Sequence, residues 1–177
     1  QYTVHFDQVR VPVENRIGQE GKGFYHVFDA LNPERIAGAS EAVGLGRFVL
    51  DRAVAYAKER EVFDAPIGSH QALQHDLSEA KIDVEQAALA TQRAIDAFEA
   101  NFPEAGSYAN VANYASTEAA NRAFDVAVQT HGGNGLSRDY DIVTLQNNIR
   151  LGRIAPVTNQ MILNSVGENV LGLPKSY

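Results

Sequence analysis

The 177-residue chain is long enough for one domain with a substantial core, and its 45% hydrophobic and 21% charged residues are ordinary for a globular protein. No apolar run approaches the ~20 residues that span a bilayer, and a formal net charge of -7 without a Lys/Arg cluster argues against nucleic acid as a partner. Cysteine is absent, which excludes disulfides and thiolate metal sites, and no signal-like stretch opens the chain, so the expected location is cytoplasmic with no membrane association.

Residues 2–11 alternate apolar and polar side chains through Val4, Phe6 and Val9, and Pro12 ends the run. The pattern predicts one β-strand, whose ladder partners would lie outside this sequence, because a lone strand is unstable in water. Gly18, Gly21 and Gly23 then form a turn before a long helix, expected from about 22 to 60. Pro33 falls inside that helix and predicts a kink or short break near Asn32, since proline lacks an N–H and clashes with the preceding turn. A loop with Pro66 and Gly68 leads to a second helix, expected from about 70 to 100, with Leu73, Leu77, Ala80, Val84 and Ala87 on one face. A third, Ala-rich helix is expected from about 104 to 130, ending at Gly132-Gly133, and shorter helical segments at about 138–149 and 154–171. Long amphipathic helices joined by short loops predict an all-α, antiparallel four-helix-type bundle with one leftover N-terminal strand.

Three stretches carry chemistry. Glu59 to Gln71 reads most simply as a helix end with a favourable arginine followed by a loop. In Gln129-Thr130-His131-Gly132-Gly133-Asn134-Gly135 the glycines either stop a helix or let the backbone approach a phosphate or a flat ring closely. It is not a dinucleotide fingerprint, and His131 reads as a capping or packing residue. In Asn32-Pro33-Glu34-Arg35 the carboxylate lies between Leu31 and Ile36. Partial desolvation expected there would raise its pKa and suit a general base, with Glu41 two turns on along roughly the same face. No metal-ligand spacing or nucleophile elbow is present.

Taken together and in this order, the stretches resemble the acyl-CoA dehydrogenase family over nearly the whole chain. The resemblance rests on Val4 to Pro12 with Gly18 to Phe24, an Arg-x-x-Phe-x-x-Pro-Ile…Gln element from Arg60 to Gln71, and a Gln-x-x-Gly-Gly-x-Gly element from Gln129 to Gly135. It implies that residues 1–17 close a middle β-domain and connector, and that 18–177 form the C-terminal helical domain. It further implies an FAD cofactor reached by Arg60, Phe63 and Gln71, by Gln129, Gly132 and Gly133, and by Thr158 and Gln160 beside the flavin. The implied partners are an acyl-CoA substrate, an electron-transfer flavoprotein and further copies of the chain, as a dimer or a tetramer built as a dimer of dimers. The implied reaction is α,β-dehydrogenation of the thioester, and the substrate would lie against Asn32, Glu34 and Arg35.

One departure from the family pattern is informative. Many members carry their catalytic Glu in a Tyr-Glu-Gly-Thr element that aligns with Arg153 to Thr158, where this chain has Pro156. Other members, of the isovaleryl and long-chain types, hold the base in the first long helix before an arginine, the position of Glu34. Glu34 is therefore the expected catalytic base. Two alternatives use the same scaffold: a flavin oxidase or monooxygenase, and a non-catalytic helical oligomerisation subunit. Residues 1–177 alone would lack most of a flavin site, so they are expected to hold no FAD tightly and to be inactive.

Overall fold

The structure, a computed structural model, describes residues 2–176. The outermost residues of the predicted division, 1 and 177, lie outside that range. Three long helices dominate: α1 (Gly23–Glu59), α2 (Gln71–Glu99) and α3 (Ala105–His131). Two shorter ones follow, α4 (Gln146–Leu151) and α5 (Asn159–Asn169). The helix α3 is central and packs along both α1 and α2, while α4 and α5 lie against it. No helix among the described residues is long and apolar enough to cross a membrane. The all-α expectation holds, and the three long helices begin and end within a residue or so of where periodicity and breakers place them.

Small side chains set the packing. Ala53, Ala80, Ala94, Ala97, Ala112 and Ala123 are wholly buried. With no bulk beyond Cβ, they let the helix backbones approach closely. Gly46 marks the tightest point: an added Cβ would stand 2.9 Å from Val84 Cγ2 of α2 and 3.5 Å from Ala120 Cα of α3. Around it, Val43, Val49, Leu50, Val84, Ile142 and Ile149 fill the main core. A second cluster, Ile36 and Ala39 with Ala94, Ala109 and Ala112, joins the same helices nearer the start of α1. Thr91 and Ser116 share a buried hydrogen bond of 3.0 Å between α2 and α3. Arg122 of α3 grips α2 from outside through Asp83 at 2.7 Å and through Glu79.

The structure corrects four expectations. Residues 2–12 are exposed and form no strand, because no neighbouring strand offers a ladder. The predicted break at Pro33 is absent: α1 runs unbroken for 37 residues, about 55 Å at helical rise. Proline removes one N–H donor, but Ile36, Ala39 and Val43 are buried directly after it, and that burial outweighs the lost bond. The short helical segment expected at 138–149 is instead two 3-10 turns, Arg138–Tyr140 and Val143–Leu145, leading into α4. Finally, a hairpin not foreseen joins α1 to α2. Its strands, β1 (Glu61–Val62) and β2 (Ala65–Pro66), pair antiparallel with Val62 opposite Ala65.

Candidate functional site

The hairpin presents the first predicted element. Its two-residue turn, Phe63-Asp64, holds both residues at positive φ, +55° and +62°, the backbone of a turn that matches the twist of a hairpin. Phe63 has no glycine-like freedom there, and its ring is 90% exposed. Arg60 caps α1, and its carbonyl accepts from Ile67 N at 2.8 Å, which fixes the hairpin against the helix end. Gln71, one element further, is exposed at the first position of α2.

The second element lies beside it. A groove of about 380 Å³ is lined by Arg60, Val62 and Ile67 on one side and by Gln129, Gly132, Gly133 and Asn134 on the other. Residues far apart in sequence, Arg60 and the glycine turn, are thus brought together in one groove. Gly132 ends α3 at φ +58°, and Gly133 has open space where a Cβ would point. Phe63, Gln71 and Gln160 do not line this groove.

Behind the turn is an aromatic support that the motif reading missed. Tyr56 stacks on His131 with ring centroids 4.2 Å apart and planes 24° apart. Tyr140 meets both rings edge-on. Asn134 Nδ2 donates to the hydroxyls of Tyr56 at 3.0 Å and Tyr140 at 3.2 Å. His131 is buried, with Nδ1 2.8 Å from the carbonyl of Ala127. It is a packing residue, as the sequence suggests. The helical spacing of Tyr56 on α1 was the available signal for its partner, but which aromatic faces which depends on the α1–α3 pairing.

The third element occupies a different part of the surface. Glu34 and Glu41 line a groove of about 420 Å³ with Gly38, Asn148, Gly152 and Pro156. The two carboxylates share a face, as expected. Glu34 is nevertheless exposed, so the expected burial is corrected: its neighbour on the inward face of α1 is Arg35. Arg35 is 4% exposed and donates through Nη2 to Asn32 Oδ1. It lines a larger groove of about 810 Å³, between the start of α1, the start of α3 and α5. Thr158 lines that groove too, and caps α5 by accepting from Met161 N at 3.3 Å. Pro156 borders both grooves, so they adjoin at that residue.

The segment carrying Pro156 and Thr158 is anchored to α3. Arg153 makes a two-pronged pair with Glu118, at 2.8 and 2.7 Å. Asn159 Nδ2 donates to Glu118 at 2.7 Å and to Thr117 Oγ1 at 3.1 Å. A planar guanidinium fork on a carboxylate fixes direction as well as distance. In this segment Ala155 and Pro156 share the lining of the Glu34 groove, and Ile154, Pro156, Val157 and Thr158 that of the Arg35 groove.

Comparison with known proteins matches this picture. Residues 21–171 match the family described as acyl-CoA dehydrogenase, C-terminal domain. The chain is 47% identical to acyl-CoA dehydrogenase FadE12 of Mycobacterium tuberculosis over 178 aligned positions, covering all of this chain and 46% of that protein. The chain therefore spans about half the length of the curated relatives it matches. Among solved structures, butyryl-CoA dehydrogenase from Megasphaera elsdenii superposes with a TM-score of 0.89 at 31% identity, covering 94% of this chain and 43% of that one. PigA, solved with FAD and proline, superposes with a TM-score of 0.89 at 26% identity, covering 95% and 43%. A family match across most of the chain, with the motifs placed as above, shows that this chain belongs to the acyl-CoA dehydrogenase family, in the part that forms its C-terminal domain.

Proposed function

We propose that residues 1–17 close a β-domain, that 18–177 are the helical domain of an FAD-dependent acyl-CoA dehydrogenase, and that Glu34 is the base that removes the α-proton of the acyl thioester. The observation that supports the reading is the placement of Glu34: an accessible carboxylate lining the same groove as Pro156 and preceding a buried guanidinium in the chain. An accessible carboxylate reaches a bound thioester without rearrangement of the helix that carries it. Closure of the groove over substrate would then supply the desolvation that suits a general base.

The residues fit an FAD. Arg60 offers an exposed guanidinium for a pyrophosphate. Gly133 leaves room for close backbone approach, with Gln129 and Gly132 beside it. Phe63 presents an exposed ring for stacking on a flat heterocycle, and Gln71 begins the next helix. Thr158 and Gln160 open α5 beside the substrate grooves. Bound FAD supplies the two-electron acceptor for the β-hydrogen. Asn32 holds Arg35 in place, and Arg35 faces the substrate.

The partners follow from this reading: an acyl-CoA, an electron-transfer flavoprotein that takes the electrons onward, and further copies of the chain completing the cofactor site, with the protein in the cytoplasm. The chain contains the base and one side of a cofactor groove, so residues 1–177 by themselves are expected to be colourless and inactive.

The test is anaerobic bleaching of the flavin in the full-length protein by a series of acyl-CoAs. Wild type should bleach with at least one chain length, and Glu34→Gln should not, while keeping its flavin. Normal bleaching by Glu34→Gln would remove Glu34 from the reaction.

A further inference from the structure

The connection from α4 to α5 has little backbone ladder of its own. Pro156 lacks an N–H, and among the described residues neither Val157 nor Thr158 donates a backbone hydrogen bond. Each residue from Ile154 to Thr158 nevertheless lines one or both of the grooves that meet at Pro156. The helix that follows is anchored lightly, since Asn159 and Ile162 are the residues that α5 buries.

This wall is held at its two ends, and both ends meet one carboxylate. Arg153 forks onto Glu118 of α3, Nε to Oε1 at 2.8 Å and Nη2 to Oε2 at 2.7 Å. Asn159 is 3% exposed and donates from Nδ2 to the same Oε1 at 2.7 Å. The backbone closes the base of the loop, with Asn159 N donating to the Arg153 carbonyl at 3.2 Å. Thr117, buried beside Glu118, adds a contact to Asn159 at 3.1 Å. It also meets the start of the connection: a Cβ on Gly152 would stand 3.0 Å from Thr117 Cγ2. Glu118 thus accepts from three N–H groups drawn from both sides of the segment. Two ends held by one acceptor do not move independently.

We propose that Glu118 is a positioning residue, which through Arg153 and Asn159 sets the wall shared by the Glu34 and Arg35 grooves and so the register of a bound acyl-CoA. The proposal rests on the reading of these grooves as the substrate site. Glu118 lines neither groove, so it acts through the segment and not on the ligand. A carboxylate suits the task because its two oxygens take a guanidinium fork and an amide together. A neutral amide in its place has a single acceptor oxygen, and one end of the segment is released. With Pro156 in it, the segment contributes shape and no carboxylate, so its effect on the reaction depends on where it is held. Displacing such a wall by about 1 Å costs up to about 10²-fold in rate.

The experiment uses full-length protein with bound flavin. Anaerobic flavin reduction by the acyl-CoA that bleaches wild type fastest gives a limiting rate and an apparent Kd. Hydrogen exchange of a peptide covering 152–159 reads the clamp without substrate. In Glu118→Gln that peptide should exchange several-fold faster, while a peptide covering 119–131 of α3 keeps wild-type protection. Tm should fall by only a few degrees, because the side chains of the pair are 34% and 33% exposed. The limiting rate should fall about 10-fold or more in Glu118→Gln and in Arg153→Met, with Kd changed by less than about 3-fold. The double variant should lose no more than the slower single variant, since both act through one clamp. Arg153→Lys, which keeps the charge without the fork, should recover part of the rate lost in Arg153→Met. Wild-type exchange of the 152–159 peptide in Glu118→Gln overturns the proposal, as does faster exchange with an unchanged limiting rate. Additive losses in the double variant overturn it too. So does a rate loss matched by loss of α3 protection, which would make the role of Glu118 merely structural. Wild type that no acyl-CoA bleaches overturns the reading of the grooves and the positioning role with it. Wild type that bleaches beside variants that bleach equally fast overturns only the role of Glu118.

Discussion

Tyr56 of α1 and His131 at the end of α3 stack 4.2 Å apart, and this contact fixes where the glycine turn leaves the bundle. Removing the Tyr56 ring takes away the stack and the hydroxyl that Asn134 donates to. Tyr56→Ala should cost roughly 2–3 kcal/mol, toward the low end of aromatic truncations because the ring is only half-buried. Tyr56→Phe keeps the stack and should cost about 0.5–1 kcal/mol, since Asn134 retains Tyr140. Urea denaturation measures both. Equal effects from the two variants would mean that the stack contributes nothing.

Phe63 combines a positive φ with 90% exposure. Nothing in the fold holds the ring, yet the backbone carries a conformation that costs a residue with a Cβ on the order of 1 kcal/mol. Strain of this kind is kept where a side chain has a task. Phe63→Gly should therefore raise the denaturation midpoint, by up to about 1 kcal/mol of stability, while weakening FAD retention in the full-length protein. Fluorescence titration of the apoprotein with FAD gives the second quantity. Unchanged FAD affinity would remove Phe63 from the cofactor site.

A pH dependence follows from the bridge between α1 and α2. Hydrogen bonds from Arg47, first, and Lys81 hold the Glu85 carboxyl down at about 2 from an ordinary 4.5. A carboxyl depressed in the folded state stabilises it above the unfolded value, and that contribution is lost as pH falls from about 4.5 toward 2. Glu85→Gln should match wild type near pH 2, where both side chains are neutral, and lie slightly below it near neutrality, so that its decline across this window is flatter; the difference is small because the pair is exposed. Parallel wild-type and variant curves would show that the bridge is not formed in solution. High salt should shrink the difference further.

Much of the helical frame is readable from local features, because Pro66, Gly68, Pro103 and Gly132 punctuate runs whose apolar residues recur at helical spacing. The N-terminal residues fail for the opposite reason: Val4, Phe6 and Val9 have strand-like alternation, but a strand is a property of two segments. The Phe63-Asp64 turn escapes notice because Asp64 signals positive φ only weakly without a glycine beside it, and Phe63 does not signal it at all. At the site, Arg60 and Gly132 come from separate motifs and line one groove, a proximity that the α1–α3 packing sets. Which of two adjacent residues, Glu34 or Arg35, faces inward depends on the packing of α1 against α3 and is invisible in a stretch where both neighbours are apolar.

Gly133 separates folding from cofactor binding more cleanly than any other position. At Gly132, φ is +58°, so a side chain there strains the backbone whatever it contacts. Gly133 has no such constraint, and a Cβ built on it meets nothing within 4 Å. Gly133→Ala should consequently leave stability within about 0.5 kcal/mol of wild type, as for a surface change that creates no clash. A methyl group in the Arg60 groove would still hold a phosphate or ring away from the backbone. The full-length variant should fold normally, lose FAD on dilution and show an FAD Kd raised at least several-fold. Gly132→Ala, by contrast, should lose stability and FAD together. If Gly133→Ala binds FAD as wild type does, the glycine turn serves only to end α3, and the cofactor contact must be sought elsewhere on this surface.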